Sequence, residues 1–306
     1  MKAIKIGTRG SALAMAQTES VVNQLRRYHP DLHLEIVKVK TAGDLDTSGR
    51  LAEIGAGAFT ARLEQELIAG NIEAAVHSAK DLPSRISEDL KIAAVPRRGP
   101  VNDVWISGRH LGTKDSKAGT IIGTSSPRRR AQILHAQPHF EVRPIRGNIE
   151  TRLAKLESGQ YDAIILAKAG LGRLGLSDNF TEILPTESFI PAPGQGALAI
   201  QTRDRDTDTI SLLSPINHAI SFRCLEIERS LMRKLNAGCS TPIGALAELE
   251  GGQIILRAVI LDPDGRQRLH AEYKIDARQS DDLIIDNVIE KLMIQGAGSI
   301  LAELHG

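Results

Sequence analysis

The two cysteines of this 306-residue chain occupy unlike settings. Cys239 lies in Ala237-Gly238-Cys239-Ser240-Thr241-Pro242-Ile243-Gly244, a glycine-containing loop where a sulfur can be approached from outside. Cys224 recurs with Ile227, Leu231 and Leu235 at helical spacing, with Glu226, Glu228, Arg229, Arg233 and Lys234 on the opposite side. That spacing predicts an amphipathic helix ending near Asn236, because Gly238 suits a helix stop and Pro242 cannot continue one. Cys224 reads as a small core residue on the apolar stripe. Cys239 either carries chemistry or sits inert in its loop, and spacing alone leaves both readings open.

A second group of candidates is basic. Ile6-Gly7-Thr8-Arg9-Gly10-Ser11 and Ile122-Gly123-Thr124-Ser125-Ser126-Pro127 each follow a short β-prone run and precede a helical stretch. A strand, a Gly-Thr/Ser loop and a helix start make a recurrent anion site, since free N–H groups, the helix dipole and hydroxyls point at one spot. Arginines gather around both loops: Arg9 in the first, Arg128, Arg129 and Arg130 opening the second helix, then Arg143, Arg146, Arg152 and Arg173. The arginine fork binds carboxylate or phosphate through paired hydrogen bonds. One such residue is ordinarily a solvated surface charge, whereas the set beside two anion-type loops points to an anionic ligand. Nucleic acid fits poorly, because single-strand binding wants aromatic stacking platforms and aromatics are only 3% of the chain. One acid stands apart, Asp81 in His77-Ser78-Ala79-Lys80-Asp81-Leu82-Pro83, just after a predicted buried strand ending at Val76. That is the carboxyl edge where open α/β folds bind ligands. An ordinary loop aspartate before Leu-Pro is the alternative.

The elements that must position these residues form a two-part pattern with a different third part. A further echo, Gly70-Asn71-Ile72-Glu73-Ala74-Ala75-Val76 and Gly159-Gln160-Tyr161-Asp162-Ala163-Ile164-Ile165, follows the first in the same order. Strands alternating with helices imply two related α/β lobes with largely parallel sheets. After Pro215 the character changes. The Cys224 helix precedes strand-like runs at 254–261 and 269–275, joined by the hairpin turn Asp262-Pro263-Asp264-Gly265, and a final helix over 281–304. The reading is therefore α/β, with a small α+β C-terminal domain. Net charge is +1, from 38 basic and 37 acidic residues, so neither nucleic acid nor membrane is favoured as a partner. No stretch approaches the ~18 apolar residues of a membrane span, and the start lacks a signal-peptide run, so a cytoplasmic protein is expected. Walker and dinucleotide signatures are missing, and the nine histidines show no paired metal spacing.

Taken together the motifs resemble those of the porphobilinogen deaminase (hydroxymethylbilane synthase) family. The segments that carry the resemblance run in family order across nearly the whole chain. They are Gly7 to Ala14, His77 to Pro83, Gly123 to Arg129, Arg146-Gly147-Asn148, Pro191-Ala192-Pro193-Gly194-Gln195-Gly196-Ala197 and the Cys239 loop. The resemblance implies two lobes like type II periplasmic binding proteins, with boundaries 1–97 plus 197–214, 101–190, and 218–306 for the C-terminal domain. It implies a dipyrromethane cofactor joined by a thioether to Cys239, and Asp81 as the catalytic carboxylate. Arg9, Ser11, Lys80, Ser125, Ser126, Arg128, Arg129, Arg146, Arg152 and Arg173 would bind carboxylates of cofactor and substrate. Porphobilinogen would be the small-molecule substrate of a monomeric enzyme that hands its product to the next enzyme. Two departures stand out. Relatives commonly carry two lysines in the loop near residue 56, where this chain reads Gly55-Ala56-Gly57-Ala58-Phe59-Thr60-Ala61-Arg62, and the cysteine loop begins Ala237-Gly238 in place of Gly-Gly. The glycines and polar residues of 41–60 suggest a lid anchored by Phe59, or else a plain surface connection. A non-catalytic two-lobed protein that holds an anionic small molecule is the rival reading.

Overall fold

The computed structural model describes residues 3–39, 60–238 and 241–305. The chain starts with β1 (Ile4–Arg9), α1 (Ala12–Tyr28), β2 (Leu34–Val39), α2 (Ala61–Ile68), β3 (Ala74–Ser78) and β4 (Leu90–Ala94). It continues with β5 (Asp103–Ser107), β6 (Ile121–Gly123), α3 (Pro127–Ala136), β7 (Glu141–Arg143), α4 (Ile149–Glu157), β8 (Ala163–Ala167), α5 (Lys168–Arg173) and β9 (Glu182–Ile183). Then come β10 (Leu198–Arg203), α6 (Thr207–Leu213), α7 (Ala219–Lys234), β11 (Ile243–Glu250), β12 (Gln253–Leu261), β13 (Arg268–Asp276), α8 (Asp281–Ile294) and α9 (Ala297–His305).

Among the described residues the strands form two five-stranded sheets and one three-stranded sheet. The first runs β2-β1-β3-β10-β4 and the second β7-β6-β8-β5-β9. In the first, β1 is parallel to β2 and β3, and β10 is antiparallel to β3 and β4. In the second, β6 is parallel to β7 and β8, and β5 is antiparallel to β8 and β9. The two sheets share one topology, as expected of two related lobes like those of type II periplasmic binding proteins. Their central strands read as continuous apolar runs because helices cover both faces. Ile6, Val21, Val22 and Leu25 pack one side of the first sheet, and Leu63, Leu67 and Ile72 the other. Gly7 and Gly123 stand at matching points of β1 and β6. A Cβ on Gly7 would press on the Ile72 Cδ1 methyl, and one on Gly123 would meet Tyr161 Cδ1 at 2.9 Å, so a side chain at either position would require its neighbours to shift.

Two compact units divide the chain: Met1–Gly99 with Gly196–Glu226, and Pro100–Gln195 with Ile227–Gly306. The antiparallel β11-β12-β13 sheet and the helices α8 and α9 lie in the second unit. The hairpin occurs where the sequence places it, closed by Gly265 N–H donating to Asp262 O at 3.1 Å. Strand β11 is missing from the sequence reading, and the expected single final helix breaks into α8 and α9 at Gly296, whose φ is +103. α7 ends as expected. Asn236, at φ 49, takes the left-handed position, and Ala237 N–H donates back to Met232 O. The polar face assigned to this helix needs correction, since Glu228 and Arg229 are buried. The Glu228 carboxylate tolerates burial by accepting from the N–H groups of Gly194 at 2.6 Å and Ala247 at 2.8 Å.

Candidate active site

The first lobe builds its site where two parallel neighbours end together. β1 delivers Arg9 and then Ser11, which caps α1 by accepting from Ala14 N–H at 3.3 Å. β3 runs two residues beyond the expected stop at Val76 and passes into one 3₁₀ turn, Ala79–Asp81. Gln17 Nε2 donates to Ser78 Oγ at 2.8 Å and ties α1 to the end of β3. Arg9, Ser11, Gln17, Thr60, His77 and Asp81 thereby line one cavity of about 50 Å³. Lys80 is half-buried on the same turn and does not line it. Asp81 is exposed and forms no ion pair among the described residues. His77 is buried, which pushes its pKa down to about 4; a hydrogen bond with Gln201 opposes that shift and the Arg9 charge adds to it. His77 is consequently a neutral imidazole near pH 7, and its Nε2 has no hydrogen-bond partner among the described residues.

In the second lobe the matching loop after β6 is used differently. Ser125 Oγ donates to Ile145 O at 2.9 Å and accepts from Ile145 N–H at 3.1 Å, so its hydroxyl pins the chain beyond β7. Ser126 caps α3 by accepting from Arg129 N–H at 3.4 Å. Arg128 and Arg129 are buried, and both guanidiniums are ion-paired to Asp103 on β5, at 2.8 and 2.7 Å. Arg152 donates from Nε to Gly147 O at 2.8 Å. Its pKa is lowered to about 10, by burial first and then by the charges of Arg129 and Arg146. Arg146 is exposed, and burial alone lowers Arg173 at the end of α5. Arg129, Arg146 and Arg152 thus lie near enough for their charges to act on Arg152, and Arg129 is also ion-paired to Asp103.

The structure therefore brings Arg9, Ser11 and Asp81 to one cavity, and Arg128 with Arg129 to one acid. Cys239 lies outside the described residues, as do 40–59, which hold the altered glycine loop and all of the suggested lid except Thr60. Sequence reading assigned nothing to His77, Gln17 or Asp103. Two of these leave a trace, a histidine inside a buried strand and an acid opening Asp103-Val104-Trp105-Ile106. Polar residues inside apolar runs need a partner when buried. Among the described residues, no helix is long and apolar enough to cross a membrane.

Residues 4–211 match the family described as "Porphobilinogen deaminase, dipyromethane cofactor binding domain", and residues 222–292 match "Porphobilinogen deaminase, C-terminal domain". The porphobilinogen deaminase of Thermus thermophilus is 42% identical over 306 residues, covering 100% of both chains. That of Desulforudis audaxviator is 41% identical over 303 residues, covering 99% of this chain and 98% of its own. That of Macrococcus caseolyticus is 39% identical over 308 residues, covering 100% of this chain and 99% of its own. Both family domains and full-length identity near two-fifths lead to one statement: the chain belongs to the porphobilinogen deaminase family.

Proposed function

We propose that the chain condenses four porphobilinogen molecules head to tail, with loss of ammonia, on a covalently anchored dipyrromethane, and then releases hydroxymethylbilane by hydrolysis. The observation that carries this reading is the shared cavity of Asp81, Arg9 and Ser11 in a chain that matches both family domains. Three domains, 1–97 with 197–214, 101–190 and 218–306, are proposed as the frame, and the strands of each sheet fall within one of these ranges.

The residues present suit a dipyrromethane bearing several carboxylates. Arg128 Nε is buried without a hydrogen-bond partner among the described residues, and the charges of Arg129 and Arg146 both bear on Arg152. Arg128, Arg129, Arg152 and Arg173, with Ser126 and the main chain of Ser125, would hold its carboxylates, and Cys239 would supply the thioether sulfur. When bound, the dipyrromethane supplies a pyrrole α-carbon as a nucleophile that cannot diffuse away.

Asp81 would act in the first lobe. Its carboxylate can stabilise positive charge developing on a pyrrole nitrogen and can move a proton from the reacting ring. Arg9, Ser11 and Lys80 would bind the acetate and propionate groups of porphobilinogen beside it, and Arg146 would add to the attraction. His77, neutral near pH 7, adds no further positive charge next to Arg9. A cytoplasmic monomer that passes its product to the next enzyme completes the proposal.

The purified protein should weigh more than its sequence by two linked pyrrole units, and should convert porphobilinogen to hydroxymethylbilane. A bare mass together with no consumption of porphobilinogen would refute the reading.

A further inference from the structure

We propose that Asp103 is a positioning residue that aims Arg128 and Arg129 at carboxylates of the bound primer. The inference rests on the proposed function and goes one layer behind it. Asp103 is 0% exposed, and Arg128 and Arg129 are 4% and 7% exposed. Its Oδ2 accepts from Arg128 Nη2 at 2.8 Å. Its Oδ1 accepts from Arg129 Nη2 at 2.7 Å and Nε at 3.1 Å, and from Gln195 Nε2 at 3.0 Å. The far side of each fork is fixed by a backbone carbonyl. Arg128 Nη1 donates to Ile190 O at 2.8 Å and Arg129 Nη1 to Ile165 O at 3.0 Å.

Three features distinguish this cluster from a merely stabilising ion pair. Consecutive residues of an α-helix point about 100° apart, so the heads of Arg128 and Arg129 converge only through a shared acceptor. The charge is also unbalanced, because Asp103 is the one acid ion-paired with either guanidinium among the described residues. A buried surplus of positive charge is costly and gains nothing for stability unless an anion arrives. Finally, the fold itself does not require an acid there. Asp103 pairs with Ala167, the last residue of β8; in the first sheet Leu198 pairs with Ser78, the last residue of β3. The acid is present only in the lobe that carries the adjacent arginines.

The full-length Asp103→Glu variant keeps the charge and lengthens the arm by one methylene. It is compared with wild type for thermal midpoint, for the fraction carrying the pyrrole adduct by intact mass, and for the rate of loading when porphobilinogen is supplied. Loading should slow by roughly tenfold while the midpoint stays close to wild type, because outer partners of a binding group set its aim. Asp103→Asn should, in whatever fraction folds, carry almost no adduct. Loading at the wild-type rate in Asp103→Glu would overturn the inference, as would a lowered midpoint with normal loading in either variant. A wild-type protein that is both bare and inactive would overturn the proposed function, and this inference with it.

Discussion

Replacing Arg152 with methionine should make the primer-free protein more stable while impairing its use of porphobilinogen. Arg152 is protonated in the folded and unfolded chain at pH 7, but burial, then the charges of Arg129 and Arg146, draw its folded pKa down from the ordinary guanidinium range to about 10. A base whose folded pKa is depressed carries its full penalty below the lower value, and the penalty fades only as pH rises above about 10 toward the ordinary guanidinium range. At ~1.4 kcal/mol per pKa unit, the strain relieved at pH 7 is at most on the order of 3 kcal/mol. Methionine forfeits the bond from Nε to Gly147 O, about 1 kcal/mol, and keeps most of the aliphatic stem. The net gain is about 1–2 kcal/mol, or roughly 2–3 °C in the unfolding midpoint of a chain this size. Both proteins are compared in a Cys239→Ala background, so that neither carries a primer. Thermal unfolding at pH 7 is followed across a salt series, since screening should shrink the contribution of Arg129 and Arg146. An unchanged or lowered midpoint would refute the view that burial and the charges of Arg129 and Arg146 disfavour the Arg152 cation. Stability bought at the expense of binding is the usual trade at a functional site.

Asp81→Asn should fold and load normally yet turn over porphobilinogen at least a hundredfold more slowly, on the order of the loss of one electrostatic stabiliser; near-normal turnover would make Asp81 an ordinary turn residue. His77 is held neutral down to about pH 4, so the unfolded chain takes up a proton below pH 6.5 that the folded chain refuses, and stability should fall as pH drops through that window. His77→Gln should flatten that acid limb in urea titrations at pH 7 and pH 5, and an unaltered slope would contradict it. Cys239→Ala should abolish the pyrrole adduct, whereas buried Cys224→Ala should keep it; peptide mass spectra showing an adduct on Cys224 would reverse the assignment.

Legibility in the sequence followed the range of the forces involved. Helix ends and turns are local, so the helix starts after the two Gly-Thr/Ser loops, the helix stop near Asn236 and the hairpin turn at Gly265 could all be read, although the capping roles of Ser11 and Ser126 were not. The paired echoes worked for the same reason, each being a strand, a tight loop and a helix start. Long-range pairing left little trace. Asp103 meets Arg128 and Arg129 across 25 and 26 residues, and no periodicity announces it. Glu228 sits at a helical position that looks solvent-facing, and only the packing of β11 with the Gly194 segment makes it a buried acceptor. The Gly296 break was missed because the apolar pattern runs through it without losing helical phase. Individual arginines could be named but not sorted: sequence spacing treats Arg128, Arg146 and Arg152 alike, while burial separates them.

One backbone frame, used in both lobes, carries an acid in the first and a set of arginines in the second. Both lobes anchor the start of their third parallel strand with the same device. Lys5 N–H donates to the Glu73 carboxylate at 2.8 Å and Ile121 N–H to that of Asp162 at 2.9 Å, and each acid's own N–H returns to the partner carbonyl at 2.9 Å. Gly70 and Gly159 precede them at φ +73 and +76. Beyond this shared frame the chemistry diverges. After β3 a single 3₁₀ turn presents Asp81, whereas after β8 the chain continues as α5 to Arg173. β1 ends on Arg9, whereas after β6 stand the serines and the adjacent arginines of α3. Asp103 shows what becomes of a carboxylate placed among those arginines: it is buried and wholly engaged by ion pairs and hydrogen bonds. A carboxylate proposed to meet a cationic pyrrole, as Asp81 is, must avoid that fate. Asp81 does so by standing exposed on the other lobe, where the same backbone frame carries a different loop.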